Sequence, residues 1–166
     1  GYSGTQNLLG AGEAIGVGGG GGLARANASG SAGGFVGIKG TESDALSEPN
    51  LSTSVGTGAS ILAGNDFSIS TNSHANTSAR SSNDAGGFVA AGGGDAATSS
   101  SNTNRVTFAS GASVDAGGNV IVNATTSNVS SAFGDSFKGG FVSFADADGR
   151  STVGYNTMVL VEQGAN

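Results

Sequence analysis

The 166 residues contain no cysteine, no tryptophan and a single proline, Pro49, and only 11% of the side chains are charged. Without cysteine there is no disulfide and no thiolate metal site, a usage that fits an exported protein. The basic residues are Arg25, Lys39, Arg80, Arg105, Lys138 and Arg150, and no two are adjacent. With a net charge of -6, the chain has no basic cluster to neutralise phosphates, which excludes nucleic acid as a partner class. No apolar run approaches the roughly 18 residues of a membrane-spanning segment. No leader peptide is visible and the chain opens at Gly1, so it is expected to be a piece of a longer protein. His74 is the only histidine, expected in a surface loop, and no second imidazole or thiolate can join it on a metal.

What is present is glycine, 32 residues of it, in a background of Ala, Ser, Thr, Asn and Val. Such a composition by itself suggests a disordered linker. Short β-branched and aromatic runs argue otherwise: Val106-Thr107-Phe108, Val120-Ile121-Val122 and Met158-Val159-Leu160-Val161 read as strands punctuated by Gly, Ser and Asn. Apolar residues alternate at period two, as in Ala24, Ala26 and Ala28, which disfavours helical repeats.

A long period organises these runs. Gly-Gly-Phe-Val occurs as Gly33, Gly34, Phe35 and Val36, again as Gly86, Gly87, Phe88 and Val89, and again as Gly139, Gly140, Phe141 and Val142, each copy 53 residues after the last. Gly58-Ala59-Ser60-Ile61 and Gly111-Ala112-Ser113-Val114 keep the same interval, as does Gly164-Ala165-Asn166. The chain divides into a partial unit 1–32, units 33–85 and 86–138, and a partial unit 139–166, an array cut at both ends. Near the start the match is looser. Leu8 and Leu9 align with Ile61 and Leu62 at offset 53, but Ile15 and Val17 align with Phe67 and Ile69 at offset 52, which implies a one-residue deletion.

A fixed long period of strands and glycine turns predicts an all-β tandem-repeat β-solenoid. Each strand then pairs with its copies about 4.8 Å above and below. Either three coils of about 18 residues or one wide coil fills the unit. Resemblance at 53 without any near 18 favours the wide coil. Ala, Val, Gly and Phe are expected inside, with Phe35, Phe88 and Phe141 stacked in one ladder and Val36, Val89 and Val142 in another. The paired glycines before each Phe mark a bend that needs positive φ or close backbone approach. Glu42, Asp95 and Asp148 share a repeat position, so their carboxylates must lie at a solvated turn, bind a cation or sit apart.

Few residues carry chemistry. Asp146 and Asp148, in Asp-Ala-Asp-Gly, resemble the opening of a calcium loop, and Asp95 and Glu42 stand near the equivalent place in the other copies. None of the copies completes a loop, so the weak metal candidates are Glu42, Asp95, Asp146 and Asp148, with calcium the ion they would suit. No cofactor is otherwise expected. The glycine run from Gly16 to Gly22 lacks the Gly-Lys-Ser/Thr ending of a phosphate loop. No strained serine elbow exists, and Tyr2 and Tyr155 are isolated, so no enzyme is expected. Sequons at Asn27, Asn50, Asn76, Asn123 and Asn128 matter only in a glycosylating host. An ice- or carbohydrate-binding face would need an outward Thr or aromatic ladder, which neither Thr53, Val106 and Val159 nor Ser70 and Asn123 maintain.

The string Gly-Ala-Ser-Val-Asp-Ala-Gly-Gly-Asn-Val-Ile-Val-Asn-Ala at 111–124, with its copy at 58–70, resembles the repeats of bacterial filamentous haemagglutinin-like adhesins. The Gly-Gly-Phe-Val and Asn-Thr-Met-Val-Leu-Val elements are similar to the leukotoxin-type filamentous adhesins in particular. That resemblance covers nearly the whole chain, least clearly its first twenty residues. It implies a right-handed parallel β-helix, export to the cell surface, and a structural or adhesive part in attachment, aggregation or sheath formation. The expected partners are further coils of the same kind, through stacking or end-to-end contact, and glycans of a host or neighbouring cell. The alternatives are an ice- or carbohydrate-binding module and a calcium-stapled solenoid.

Overall fold

A computed structural model describes residues 15–16 and 20–166, with side-chain surroundings from Leu23 onward. Over those residues the chain is all-β, without a helix. The strands are β1 (Ile15–Gly16), β2 (Gly20–Ala32), β3 (Val36–Ser47), β4 (Asn50–Val55), β5 (Ser60–Ala63), β6 (Phe67–Phe108), β7 (Ser113–Ala116) and β8 (Val120–Val161).

β6 lies at the centre of a six-stranded sheet. β8 pairs with it on one side and β1 to β4 with it on the other, all parallel, while β5 and β7 form a separate parallel pair. From Gly20 onward the register puts each residue opposite the one 53 positions away: Ala26, Ala79 and Ala132 form one row, and Val36, Val89 and Val142 another. Like stacks on like because parallel in-register pairing gives every backbone group a partner above and below.

β1 departs from expectation. Ile15 pairs with Ile69 and Gly16 with Ser70, not with Phe67 and its neighbour. One more residue therefore separates Gly16 from Gly20 than separates Ser70 from Ser73, an insertion where a deletion was expected. Setting Ile15 beside Ile69 keeps like against like. The expectations for Tyr2, Asn7, Leu8, Leu9 and Val17 lie outside the described residues.

Although hydrogen-bonded to its neighbours almost without a break, β6 doubles back on itself at Gly86-Gly87-Phe88. Its halves, 67–85 and 90–108, then face each other. The rings of Phe67 and Phe108 meet edge to face at 6.5 Å, and Asn104 Nδ2 donates to Thr71 O at 3.4 Å. Every second side chain of each half points inward and is buried. β5 and β7 pack against the end of this pair, beside turns that recur at the repeat interval. Ala59 N donates to Gly56 O at 3.1 Å, Ala112 N to Ala109 O at 2.9 Å and Ala165 N to Glu162 O at 3.1 Å. The third residue of each turn is a glycine with left-handed φ, at 65°, 69° and 76° for Gly58, Gly111 and Gly164.

The interior is only partly apolar. Next to β5 and β7, Val55, Phe67, Ile69, Val106, Phe108 and Ala112 make a hydrophobic cluster, against which Ile61, Ala63, Val114 and Ala116 pack. Farther along, Ala45, Ala79 and Ala96 form a thin second cluster. The rest of the space between the halves holds Thr71, Ser73, Thr77, Ser81, Asn83, Thr98, Ser100, Asn102 and Asn104, all buried. The expected interior of Ala, Val, Gly and Phe is corrected accordingly. Several of these amides and hydroxyls bond across the gap, while Thr71 Oγ1, Ser100 Oγ, Asn83 Oδ1 and Asn104 Oδ1 are buried with no partner among the described residues. Ser73 Oγ donates to Asn102 Oδ1, Asn102 Nδ2 to Asn128 Oδ1 at 3.0 Å, and Asn104 Nδ2 to Thr125 O at 2.7 Å.

Candidate functional site

The reversal in β6 requires glycine at its second position. Gly34 and Gly87 have φ of 137° and 152°, and a Cβ on Gly87 would run into the carbonyl oxygen of Gly34 in the next layer. A Cβ on Gly140 would lie 2.5 Å from Gly87 O. The expectation of close backbone approach holds for this second glycine. It does not hold for the first of each pair: a Cβ on Gly33 or Gly139 would meet nothing within 4 Å, and one on Gly86 only Gly139 O at 3.8 Å.

Directly after these glycines come Phe35, Phe88 and Phe141. Their rings stack with centroids 5.2 Å apart at both steps and interplanar angles of 6° and 10°. The ladder exists, but it lies on the outside of the bend. Phe35 is 76% exposed, Phe141 83% and even the middle ring, Phe88, 49%. The tightness of the turn is the reason, because between facing halves that reverse over three residues there is no room for a phenyl ring. Val36 and Val142, also exposed, extend the apolar tip, and so do Ile38, Phe137 and Phe144.

Either side of the tip the two outer faces differ in charge. The face carried by β3, 90–108 and their mates in β8 bears Glu42, Asp44, Asp95, Asp146 and Asp148 against Arg105 and Arg150, all exposed. The opposite face, carried by β2 and 67–85 with their mates, bears Arg25, Arg80, Asp84 and Asp135 in balance. There Arg80 sits over the ring of Phe133, 5.3 Å from its centroid.

The metal candidates are placed by register. Glu42, Asp95 and Asp148 stand one above another, with Asp146 opposite Gly93. They occupy extended strands on an exposed face, not a turn, and among the described residues the close counter-charge is Arg150, 3.8 Å from Asp148. Glu42, Asp95 and Asp148, but not Asp146, line a surface depression with Asp44, Ala96, Ala97 and Arg150. Among the described residues no three His, Cys, Asp or Glu side chains converge to hold a metal ion.

His74 lies within β6 and not in a loop. Its side chain is exposed, with Gly21 and Ser127 as register neighbours. Of the sequon asparagines, Asn27, Asn50 and Asn123 are exposed and Asn76 and Asn128 half-buried. Thr53 and Val106 are buried, so that row belongs to the interior and not to an outer binding face. Missed in the sequence was the internal polar seam, whose Asn, Ser and Thr alternate with small residues just as solvent-facing ones do.

Among the described residues no helix is long and apolar enough to cross a membrane. No family model, curated protein or solved structure matches this chain.

Proposed function

We propose that the chain is a structural or adhesive segment of a secreted bacterial surface fibre, a right-handed β-solenoid in which each 53-residue unit is one wide coil. The observation that carries this reading is the unbroken parallel register. Residues from Gly20 to Val161 sit opposite their counterparts one unit away, and β8 offers the whole length of a strand edge to a further unit. A stack of this kind grows along one axis and sets its length by the number of units. The resemblance of 58–70 and 111–124 to filamentous haemagglutinin-like and leukotoxin-type adhesin repeats points the same way. So does the acidic outer face carried by β3, 90–108 and their mates in β8. The role is attachment, aggregation or sheath formation without catalysis, at the cell surface.

Electron cryo-microscopy of the full-length protein tests it. Elongated rods with an axial rise near 4.8 Å per 53 residues are expected. A rise near three times that value, or a globular particle, would overturn the wide-coil fibre.

A further inference from the structure

Facing pairs of side chains cross the interior between the two halves of β6, and one pair does not fill its gap. Ser73 Oγ reaches Asn102 Oδ1, while Thr77 Oγ1 and Thr98 Oγ1 both meet Ser130 Oγ, at 2.8 and 2.7 Å. Those contacts set Ala75 opposite Ser100, between two pairs that hold the walls apart. A serine and an asparagine span the gap in direct contact. An alanine and a serine at the same separation fall short of each other by roughly the width of one water molecule. The neighbouring rows do not make up the difference. Above stand Gly22, which has no side chain, and Ser47. Below, the Asn128 amide is committed at both ends, to Asn102 and to Gly154 O. Ala75 is 0% and Ser100 1% exposed, and Ser100 Oγ has no hydrogen-bond partner among the described residues. A hydroxyl shut away from bulk solvent is costly to leave unpaired.

We propose that Ala75, Ser100 and the hydroxyls beside them form a binding site for one buried water molecule. The lining selects that ligand. Ser73 and Thr77 flank Ala75 on the same inward face. Their hydroxyl protons go to Asn102 Oδ1 and Ser130 Oγ, which leaves lone pairs free on each. Ser100 Oγ has a proton to give. A water that accepts from Ser100 and donates to Ser73 and Thr77 makes three hydrogen bonds, the usual complement of a buried water. An apolar guest would leave Ser100 unpaired. A metal ion is the poorer fit, because the nearest acids along β6 and its mates, Asp44, Asp95 and Asp148, are exposed on the outer face. The site belongs to the middle unit alone. In the next unit the same place holds Asn128 and Val153, whose larger side chains take up the space. The inference concerns the inside of the coil and is independent of the surface role proposed above.

The test pairs a high-resolution crystal structure of the chain with oxygen-17 magnetic relaxation dispersion, which counts the long-lived internal waters in solution. In the native chain a water peak should lie between Ala75 Cβ and Ser100 Oγ. Ala75→Asn supplies the amide that spans the gap one pair along, at Asn102, so it should seat that amide in place of the water and lower the count by one. If the asparagine variant does not fold, Ser100→Ala takes its place, since removing the unpaired hydroxyl should also lower the count by one. An empty gap in the native chain, a Ser100 hydroxyl bonded directly to another protein group, or a count unchanged by the substitution would overturn the proposal. So would rubidium found at the site by anomalous scattering after soaking, because that would make it a cation site.

Discussion

Two neighbouring glycines in the β6 bend differ in kind, and that difference can be measured. Gly87→Ala should destabilise by about 1–3 kcal/mol, because its φ of 152° and the carbonyl of Gly34 both oppose a side chain. Gly86→Ala should stay within about 0.5 kcal/mol in urea denaturation under dilute conditions. The phenylalanines divide in the same way. Phe67 and Phe108 are buried, and Phe67→Ala should lose about 3–5 kcal/mol. Phe88→Ala should lose less, about 1–3 kcal/mol, from two stacking contacts of roughly 0.5–1.5 kcal/mol each. Equal losses at Phe67 and Phe88 would mean that the ladder is covered. The ladder itself was legible, since three Gly-Gly-Phe-Val copies at one interval stack wherever one unit makes one coil. Its side of the wall was not, because hydrophobicity favours burial and only the tightness of the reversal expels the ring.

At the scale of the element, β6 shows a strand whose inward face changes character along its length, from Phe67 and Ile69 through Thr71 and Ser73 to Ala79 and Asn83. Period-two alternation was readable from the sequence, and it located the strands. It did not reveal that the polar phase points inward, because alternation has no sign. An interior of amides needs its partners: Asn102 accepts from Ser73 and donates to Asn128, so Asn102→Ala leaves both unpaired. The expected cost is about 1–3 kcal/mol by chemical denaturation, from stranded hydrogen-bonding groups more than from lost volume. A change under 0.5 kcal/mol would show that the seam contributes nothing. Asp146 and Asp148, the weak calcium candidates, are strand residues opposite Gly93 and Asp95.

For the whole molecule, protection should follow position in the stack. β6 is paired on both edges, and β8 and β1 to β4 on one, so amides of β6 should exchange most slowly and those of β8 faster. Hydrogen exchange followed by mass spectrometry reads this directly. Equal protection of β8 would mean that another chain already covers its free edge. The interval of 53 was the most legible feature of the sequence, because any residue out of step would flip its neighbours to the wrong face. The register of β1 was the least legible, since glycines accept an extra residue without leaving a mark in the pattern. That same interval governs how the molecule must assemble. From Gly20 onward every ladder joins residues 53 apart, so closing the first pair of units costs the entropy of a long loop. Two units are the nucleus. Once they have formed, each further unit meets a finished template and closes a loop of the same size, so the time to add a unit does not depend on how many came before.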